Sequence, residues 1–260
     1  MTFQKLHSTI TGPEGAPALL LLNSLGATQE MWAPQIKLLS DHYRVIRCDT
    51  RGHGASPTPT GPYSFDDLVA DALGVLDSYE IASATVMGLS LGGMTGLGLG
   101  LAAPERITRV ICCAARADAP DGFIQNWHNR LEMLDSGGIA EVWKNTVGMW
   151  LSDETRQARP ETEAALQNSF LQTTADGYRG CAHALMGLDY LRRLNEMKVP
   201  THFIAGENDM AASPEVMRAM AEACPGADFT VIPAAKHIIN VDRPDDFAVS
   251  VLKPLALISA

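Results

Sequence analysis

Three residues that lie far apart in the chain, Ser90, Asp209 and His237, are the types that a hydroxyl nucleophile requires. A serine hydroxyl is weakly nucleophilic at neutral pH, and it reacts when a histidine accepts its proton and a carboxylate orients that histidine. Ser90 is the centre of the motif G-L-S-L-G at 88–92. An apolar run typical of a buried strand precedes this motif and a helix-like stretch follows it, as in a nucleophile elbow. The sequence therefore predicts that Ser90 is a catalytic nucleophile.

The carboxylate and the histidine of such a site follow the serine along the chain, the carboxylate first. Asp209 comes three residues after Gly206, which ends a predicted buried strand, and Glu207 is the competing carboxylate. We favour Asp209 because the short turn places the later residue over the edge of the sheet. His237 is the one histidine after Asp209, and it lies five residues past the last predicted strand. A loop of this length can bring its imidazole to Ser90.

Two backbone amides are expected to stabilise the negative charge that develops on the substrate oxygen. One is the amide of Leu91, directly after the nucleophile, and the other is the amide of Leu25, in the loop that follows the first buried strand. His53 precedes the serine and is expected at most to line a pocket. No histidine or cysteine pair has the spacing of metal ligands, so we expect no metal site.

The order of apolar runs along the chain predicts the architecture. Short continuous apolar runs, such as 18–22, alternate with helix-like stretches, and this alternation favours an α/β fold in which helices cover both faces of a parallel sheet. The strand signals stop between 118 and 194, a segment that contains helix-like stretches and three of the four tryptophans. We therefore divide the chain into a core, 1–117, a helical cap, 118–194, and the second part of the core, 195–260.

Composition excludes several classes of partner. The net charge of −10 disfavours nucleic acid and anionic membranes, because both bind basic surfaces. No window reaches the roughly 18 apolar residues of a membrane span, and the N-terminus lacks a basic segment followed by an apolar one. We interpret the five cysteines as reduced, since their number is odd and three lie in apparent strands. These features predict a cytoplasmic protein that binds neither nucleic acid nor membrane.

Several longer runs carry a resemblance to a known family: N-S-L-G at 23–26, followed by M-W at 31–32; D-T-R-G-H-G at 49–54; G-L-S-L-G-G at 88–93; and the late loop with His237. Together they resemble the 3-oxoadipate enol-lactonases of the β-ketoadipate pathway, over nearly the whole chain. R-G-H-G and G-x-S-x-G occur in many α/β-hydrolases, whereas N-S-L-G joined to D-T-R-G-H-G is more selective. The resemblance implies an α/β-hydrolase fold with an eight-stranded, mostly parallel sheet, an inserted helical cap and no cofactor.

The resemblance also implies an activity, the hydrolysis of an enol-lactone to 3-oxoadipate during the degradation of aromatic compounds. The catalytic residues of the family fall on Ser90, Asp209 and His237. Its cap pattern of a tryptophan followed by a basic residue falls on Trp127 and Arg130, which we expect to bind substrate. This lactone carries a carboxylate, and on a chain of net charge −10 a cap arginine offers the local attraction that such a substrate needs.

Two alternatives stay open from the sequence. One is a broader carboxylesterase or cofactor-free perhydrolase on the same fold. The other is a ligand-binding module without turnover, although binding alone needs no activated nucleophile, and the complete set of Ser90, Asp209 and His237 therefore argues against it. Relative turnover of the charged lactone and of simple aryl esters separates the first alternative from a dedicated lactonase.

Overall fold

The continuous apolar runs form the central strands of one sheet. The computed structural model describes residues 4–257, and within this range the sheet has seven strands in the spatial order β1-β3-β2-β4-β5-β6-β7. The strand β1 pairs antiparallel with β3, and the other neighbouring strands are parallel. The strand bounds are β1 Ser8–Thr11, β2 Ala18–Leu22, β3 Arg44–Cys48, β4 Ala84–Leu89, β5 Ile107–Cys113, β6 Thr201–Gly206 and β7 Asp228–Ile232. Every residue of β2 and β6 is buried, as expected for strands covered on both faces.

Helices follow the strands along the chain. Those outside the long connection between β5 and β6 are α1 Ala33–Ser40, α2 Phe65–Ser78, α3 Leu91–Ala102, α9 Pro214–Ala223, α10 Ile239–Asp242 and α11 Pro244–Leu252. In the described part of the chain, short 3-10 helices span Gln29–Trp32 and Leu191–Glu196. The α2 helix begins with a capping box, in which Ser64 and Asp67 each bond the other's backbone amide. None of the helices between residues 4 and 257 has the length and apolar content that a membrane crossing requires.

The number of strands differs from the eight that the family resemblance implies. In the segment before β1, the Gln4 amide donates to Asp71 Oδ1 at 2.8 Å and the His7 amide donates to Ser56 Oγ at 2.9 Å. Because side chains satisfy these amides, this segment adds no further strand to the described sheet. Residues 1–3 and 258–260, at the outer ends of the two predicted core parts, lie outside the described residues.

The connection between β5 and β6 is helical. It holds α4 Asp121–Lys144, α5 Val147–Trp150, α6 Asp153–Ala158, α7 Pro160–Phe170 and α8 Ala175–Met186. Its interior contains the aromatic rings of Trp143, Trp150, Phe170 and Tyr178, whose neighbouring centroids are 5.4–6.0 Å apart. The Phe170 ring also packs on Gly26, where a Cβ atom would lie 2.3 Å from the ring. The inserted helices therefore rest directly on the loop after β2.

The turn between β4 and α3 is strained and tightly enclosed. Ser90 has φ 56° and ψ −116°, a conformation that side-chain-bearing residues rarely adopt. The flanking glycines make it possible, because a Cβ on Gly88 would lie 2.1 Å from Gly92 O, and a Cβ on Gly92 would lie 2.2 Å from Leu22 O. The turn therefore has the glycine-flanked geometry of a nucleophile elbow.

Replacing Gly92 with alanine tests this close approach. We expect Gly92→Ala to lower the free energy of unfolding by about 1–3 kcal/mol, because the added methyl group meets the backbone of β2. Urea unfolding measures the change. Gly122→Ala is the matched control, since Gly122 lies in α4 with no atom within 4 Å of an added Cβ, and it should leave stability unchanged or slightly raised. Equal effects of the two substitutions would contradict this account of the turn.

Candidate active site

The parallel strands bring the three candidate catalytic residues to one edge of the sheet. Ser90 directly follows β4, Asp209 comes three residues after β6, and His237 comes five residues after β7. Because β4, β5, β6 and β7 all run parallel, their carboxyl ends lie at the same edge. Ligand sites of open α/β sheets form at this edge.

Asp209 and His237 are in direct contact. His237 Nδ1 lies 2.8 Å from Asp209 Oδ2, and both side chains are almost fully buried. Asp209 Oδ1 accepts the amides of Ala211 at 2.8 Å and Ala212 at 3.1 Å. Burial raises the pKa of Asp209, but the attraction to His237 and these hydrogen bonds outweigh it, so that the pKa is lowered overall. An ionised Asp209 holds the proton on Nδ1 and leaves Nε2 as the basic nitrogen.

The competing carboxylate, Glu207, has a different partner. Its Oε2 accepts the Ala234 amide at 2.7 Å, in the turn after β7. It is exposed, whereas Asp209 is 3% exposed. The structure thus places Asp209, and not Glu207, on the imidazole of His237.

The Ser90 hydroxyl makes no hydrogen bond to any residue of the described part of the chain. Its backbone is fixed by two hydrogen bonds, one from the Ser90 amide to Cys113 O at 2.8 Å and one from the Met94 amide to Ser90 O at 2.9 Å. Within residues 4–257, Ser90 Oγ has no hydrogen-bond partner, and it is not bonded to His237 Nε2. The structure therefore joins Asp209 to His237 and brings Ser90 to the same edge without a direct bond. Such bonds are often long before substrate binds.

The loop that carries His237 is attached to the inserted helices. The His237 amide donates to Met149 O at 3.3 Å, and the Ile238 amide donates to Trp150 O at 3.2 Å. Both acceptors belong to α5. The position of the imidazole therefore depends on the helices between β5 and β6.

Asp242 strengthens this attachment. It is fully buried, its Oδ1 accepts the amide and hydroxyl of Ser152 at 2.9 and 2.8 Å, and its Oδ2 accepts the Lys236 amide at 2.9 Å. Burial raises the pKa of Asp242, but these bonds outweigh it and lower the pKa overall. Sequence analysis missed this residue. The signal available was an aspartate five residues after His237, next to the apolar residues Ile238, Ile239 and Val241.

The two amides predicted to bind an oxyanion are both available. Among the described residues, neither the Leu25 amide nor the Leu91 amide has a hydrogen-bond acceptor. The Leu91 amide is the first of α3, and helix N-termini favour negative charge. These are the donors that a developing oxyanion needs.

Side chains hold the loop that contains Leu25 in place. Asn23 Nδ2 donates to Cys48 O at 2.7 Å, and Trp32 Nε1 donates to Asn23 Oδ1 at 3.0 Å. His53 lies buried beneath this loop and accepts the Gly26 amide. The expectation that His53 could line a pocket is therefore wrong, because both of its ring nitrogens face backbone groups and none of its surface is exposed.

Trp127 and Arg130 lie together on α4. The Arg130 guanidinium is 5.4 Å from the centroid of the Trp127 ring, and it donates to the hydroxyls of Tyr178 and Thr146. Both side chains are half-buried. Within the described chain, no carboxylate lies within 4.0 Å of Arg130. Arg130 is therefore a partly desolvated cation whose protein partners are neutral.

A chain of ring contacts connects Arg130 to the loop after β2. Arg130 Nε donates a hydrogen bond to the Tyr178 hydroxyl oxygen at 2.9 Å. The centroid of the Tyr178 ring lies 6.0 Å from that of Phe170. Phe170 in turn packs on Gly26, directly after Leu25. These contacts link Arg130 through two aromatic rings to the loop that contains Leu25.

Substitution of Asp242 tests how the His237 loop is held. We expect Asp242→Asn to lower the free energy of unfolding at pH 7 by about 2 kcal/mol, because amide and hydroxyl donors lose a charged acceptor. The pKa of Asp242 is lower in the folded state than the ordinary aspartate value of 3.8. The difference in free energy of unfolding between the wild type and Asp242→Asn should therefore have its full size above pH 3.8 and become smaller as pH falls below that value. Urea unfolding at several pH values measures the gap.

The exposed Asp246, in the first turn of α11, supplies the control for this measurement. We expect Asp246→Asn to change stability by less than about 0.5–1 kcal/mol. Equal effects of the two substitutions, or a gap that grows on acidification, would contradict the role given to Asp242.

Known proteins with similar sequences share this architecture. A sequence model of the α/β-hydrolase fold matches residues 17–244. The chain is 35% identical over 242 residues to 3-oxoadipate enol-lactonase 2 of Acinetobacter baylyi, covering 93% of this chain and 90% of that protein. Its sequence is 36% identical to that of the enol-lactonase from Burkholderia xenovorans. The crystal structure of that enzyme matches this fold with a TM-score of 0.92, and the alignment covers 96% of each chain.

A thermophilic esterase from Thermogutta terrifontis has the same fold at lower sequence identity. The two chains are 25% identical, the TM-score is 0.90, and the alignment covers 97% of this chain and 93% of the esterase. The matched family model and the identity to the enol-lactonases extend over nearly all of the chain. This protein therefore belongs to the α/β-hydrolase fold family, as a hydrolase related to the 3-oxoadipate enol-lactonases.

Proposed function

We propose that this protein is a serine hydrolase that opens 3-oxoadipate enol-lactone with water, giving 3-oxoadipate, in the degradation of aromatic compounds. The observation that carries the proposal is the bond between His237 and Asp209 at the sheet edge that also bears the elbow of Ser90. The similarity to enol-lactonases over most of the chain supports the choice of substrate.

In the first step, Ser90 Oγ attacks the lactone carbonyl carbon and His237 Nε2 accepts the hydroxyl proton. Asp209 stabilises the imidazolium that forms. The carbonyl oxygen becomes an oxyanion between the amides of Leu25 and Leu91, and each donor contributes about 3 kcal/mol of transition-state stabilisation. These interactions form fully only in the transition state and therefore raise the rate of the chemical step.

The tetrahedral intermediate then expels the ring oxygen. The leaving group is an enolate, which takes the proton that His237 Nε2 accepted from Ser90 and becomes a ketone. The acyl group stays on Ser90 as an ester, and His237 is again neutral. His237 next deprotonates a water molecule that attacks this ester. The same oxyanion donors stabilise the second intermediate, and its collapse releases the carboxylic acid and restores the Ser90 hydroxyl. The residues of the chain perform each step without a cofactor.

Arg130 and Trp127 are the proposed contacts for the carboxylate that the lactone carries. Arg130 is half-buried and has neutral partners, so an anion can take the position of a counter-ion. The Trp127 face keeps the guanidinium oriented. A local cation is needed because the chain as a whole carries a net charge of −10 and repels anions at long range.

We further propose that residues 118–194 act as a cap over a core made of 1–117 and 195–260. The packing of Phe170 on Gly26 and the bonds from α5 to the His237 loop support this division. The five cysteines are all buried free thiols, which fits the proposed cytoplasmic location. The proposed partner is the small-molecule lactone, with no nucleic acid and no membrane.

A broader carboxylesterase activity is the second candidate. The nucleophile, base and oxyanion donors recognise an acyl carbon and not a ring, and a structural relative is an esterase. The ratio of kcat/KM for the enol-lactone to kcat/KM for p-nitrophenyl acetate decides between the two. A dedicated lactonase favours the charged lactone by orders of magnitude.

Substitution of the catalytic residues tests the mechanism. We expect Ser90→Ala to lower kcat for the enol-lactone by about 10⁴-fold or more. Asp209→Asn should lower kcat by about 10⁴-fold, because the asparagine favours the wrong imidazole tautomer. Ultraviolet absorbance of the lactone measures turnover. Glu207→Gln, the matched change at the neighbouring carboxylate, should retain activity within a few-fold. Undiminished turnover by Ser90→Ala would refute the proposal.

Substitution of Arg130 tests the recognition of the substrate carboxylate. Arg130→Gln should raise KM for the enol-lactone by about 10- to 100-fold, which corresponds to the loss of one charge-assisted hydrogen bond. It should change kcat/KM for the neutral ester p-nitrophenyl acetate by less than about threefold, because that ester carries no carboxylate.

Arg179 on α8 is the control for Arg130, because it is an arginine of the inserted helices that is paired with a carboxylate, Asp135, at 2.6 Å. Arg179→Gln should leave both substrates unaffected. A parallel loss of activity on both substrates in Arg130→Gln would show that Arg130 supports the fold of the cap, and would contradict its role in recognition.

A further inference from the structure

His53 makes two hydrogen bonds, and both are to backbone groups. Nδ1 lies 3.0 Å from Arg51 O, and Nε2 lies 2.9 Å from the Gly26 nitrogen. A carbonyl oxygen can only accept a hydrogen bond and an amide can only donate one. Nδ1 must therefore carry the proton, and Nε2 must be unprotonated. The two backbone partners thus select one neutral tautomer.

The surroundings keep His53 in this state at neutral pH. None of the side chain is exposed, and burial lowers its pKa to about 4, although the bond to Arg51 O and the nearby Asp49 act in the opposite direction. His53 therefore remains an acceptor for the Gly26 amide throughout the neutral range.

Arg51, which supplies one of the two backbone partners, is itself fixed. Its Nε and Nη2 donate to the two carboxylate oxygens of Asp71 at 2.6 and 2.8 Å. Its guanidinium also lies 5.1 Å from the centre of the Tyr63 ring. A buried ion pair with two parallel hydrogen bonds fixes both the position and the orientation of the Arg51 guanidinium. His53 is therefore anchored at one side to a rigid part of the core.

The other side of His53 meets the loop that contains Leu25. Gly26 has φ 83°, and its amide belongs to the peptide unit directly after Leu25. With the Gly26 amide bonded to His53, the Leu25 amide is the neighbouring donor, and it has no acceptor among residues 4–257. Two adjacent amides would otherwise compete for one oxyanion. Because the Gly26 amide is bonded to His53, it is not available to the oxyanion, and the bond fixes the orientation of the loop.

We propose that His53 is a positioning residue for the oxyanion hole, in which Nε2 holds the Gly26 amide and thereby aims the Leu25 amide at the substrate oxygen. This inference rests on the proposed assignment of Leu25 and Leu91 as oxyanion donors. It assigns His53 no contact with substrate. His53 acts through the position of the loop. Loss of its imidazole should therefore weaken binding of the transition state more than binding of the substrate.

Two substitutions separate the acceptor function from the volume of the imidazole. His53→Asn keeps an amide nitrogen near the position of Nδ1, which can donate to Arg51 O, and loses the acceptor for Gly26. His53→Gln places an amide oxygen near the position of Nε2 and keeps that acceptor. We expect His53→Asn to lower kcat for p-nitrophenyl acetate by about 100-fold, with KM within about threefold of the wild type. His53→Gln should restore kcat to within about fivefold.

Phenylboronic acid provides a second readout, because its tetrahedral adduct with a serine places an oxygen in the oxyanion hole. Its affinity should fall in step with kcat in His53→Asn and stay near the wild-type value in His53→Gln. Thermal unfolding of both variants reports whether they fold. Unchanged kcat and boronate affinity in a folded His53→Asn, or equal losses in both variants with raised KM, would overturn the inference.

The wild-type protein gives a test that needs no variant. Nitrogen-15 NMR of the imidazole at pH 7 should show a protonated Nδ1 and an unprotonated Nε2 for His53, and a protonated Nε2 would overturn the inference. Failure of the proposed function has a different signature. Turnover of p-nitrophenyl acetate without turnover of the enol-lactone rejects the lactone as substrate, whereas full activity of Ser90→Ala rejects the site.

Discussion

The proposed active site depends on the backbone conformation of Ser90. A side-chain-bearing residue at φ 56° is tolerated because β4, α3 and β2 approach so closely that only hydrogen atoms fit at Gly88 and Gly92. The same close approach presents the Leu91 amide, the first of α3, at the sheet edge. One local constraint therefore exposes a hydroxyl and supplies a hydrogen-bond donor beside it. The rest of the site is built around that fixed point by the neighbouring parallel strands.

The remaining parts reach this edge through contacts between distant segments. Asp209 orients His237, α5 holds the loop of His237 from outside the sheet, and Phe170 of α7 packs on the loop that offers the Leu25 amide. The inserted helices thus contact both the proposed base, His237, and the loop of the proposed oxyanion donor Leu25. A shift of these helices would move both groups relative to Ser90.

The sequence predicted those features whose signal is local. Apolar runs identified the buried strands, and the glycines around Ser90 identified the elbow, because backbone strain there requires particular residue types. The family resemblance implied one strand too many, since side-chain acceptors for the Gln4 and His7 amides are not visible in a pattern. His53 was misjudged and Asp242 was missed for the same reason. For each of them one decisive partner is distant in sequence: Gly26 lies 27 residues from His53, and Ser152 lies 90 residues from Asp242. Only the folded chain brings these residues together.

Covalent labelling tests the central claim most directly, that the fold activates the hydroxyl of Ser90. The protein is incubated with diethyl p-nitrophenyl phosphate, which phosphorylates a serine that an imidazole activates, and the product is mapped by peptide mass spectrometry. The account predicts one diethylphosphoryl group per chain, on the peptide that contains Ser90, with activity lost in proportion to labelling. Complete inactivation by a label on another residue, or full activity with Ser90 labelled, would contradict it.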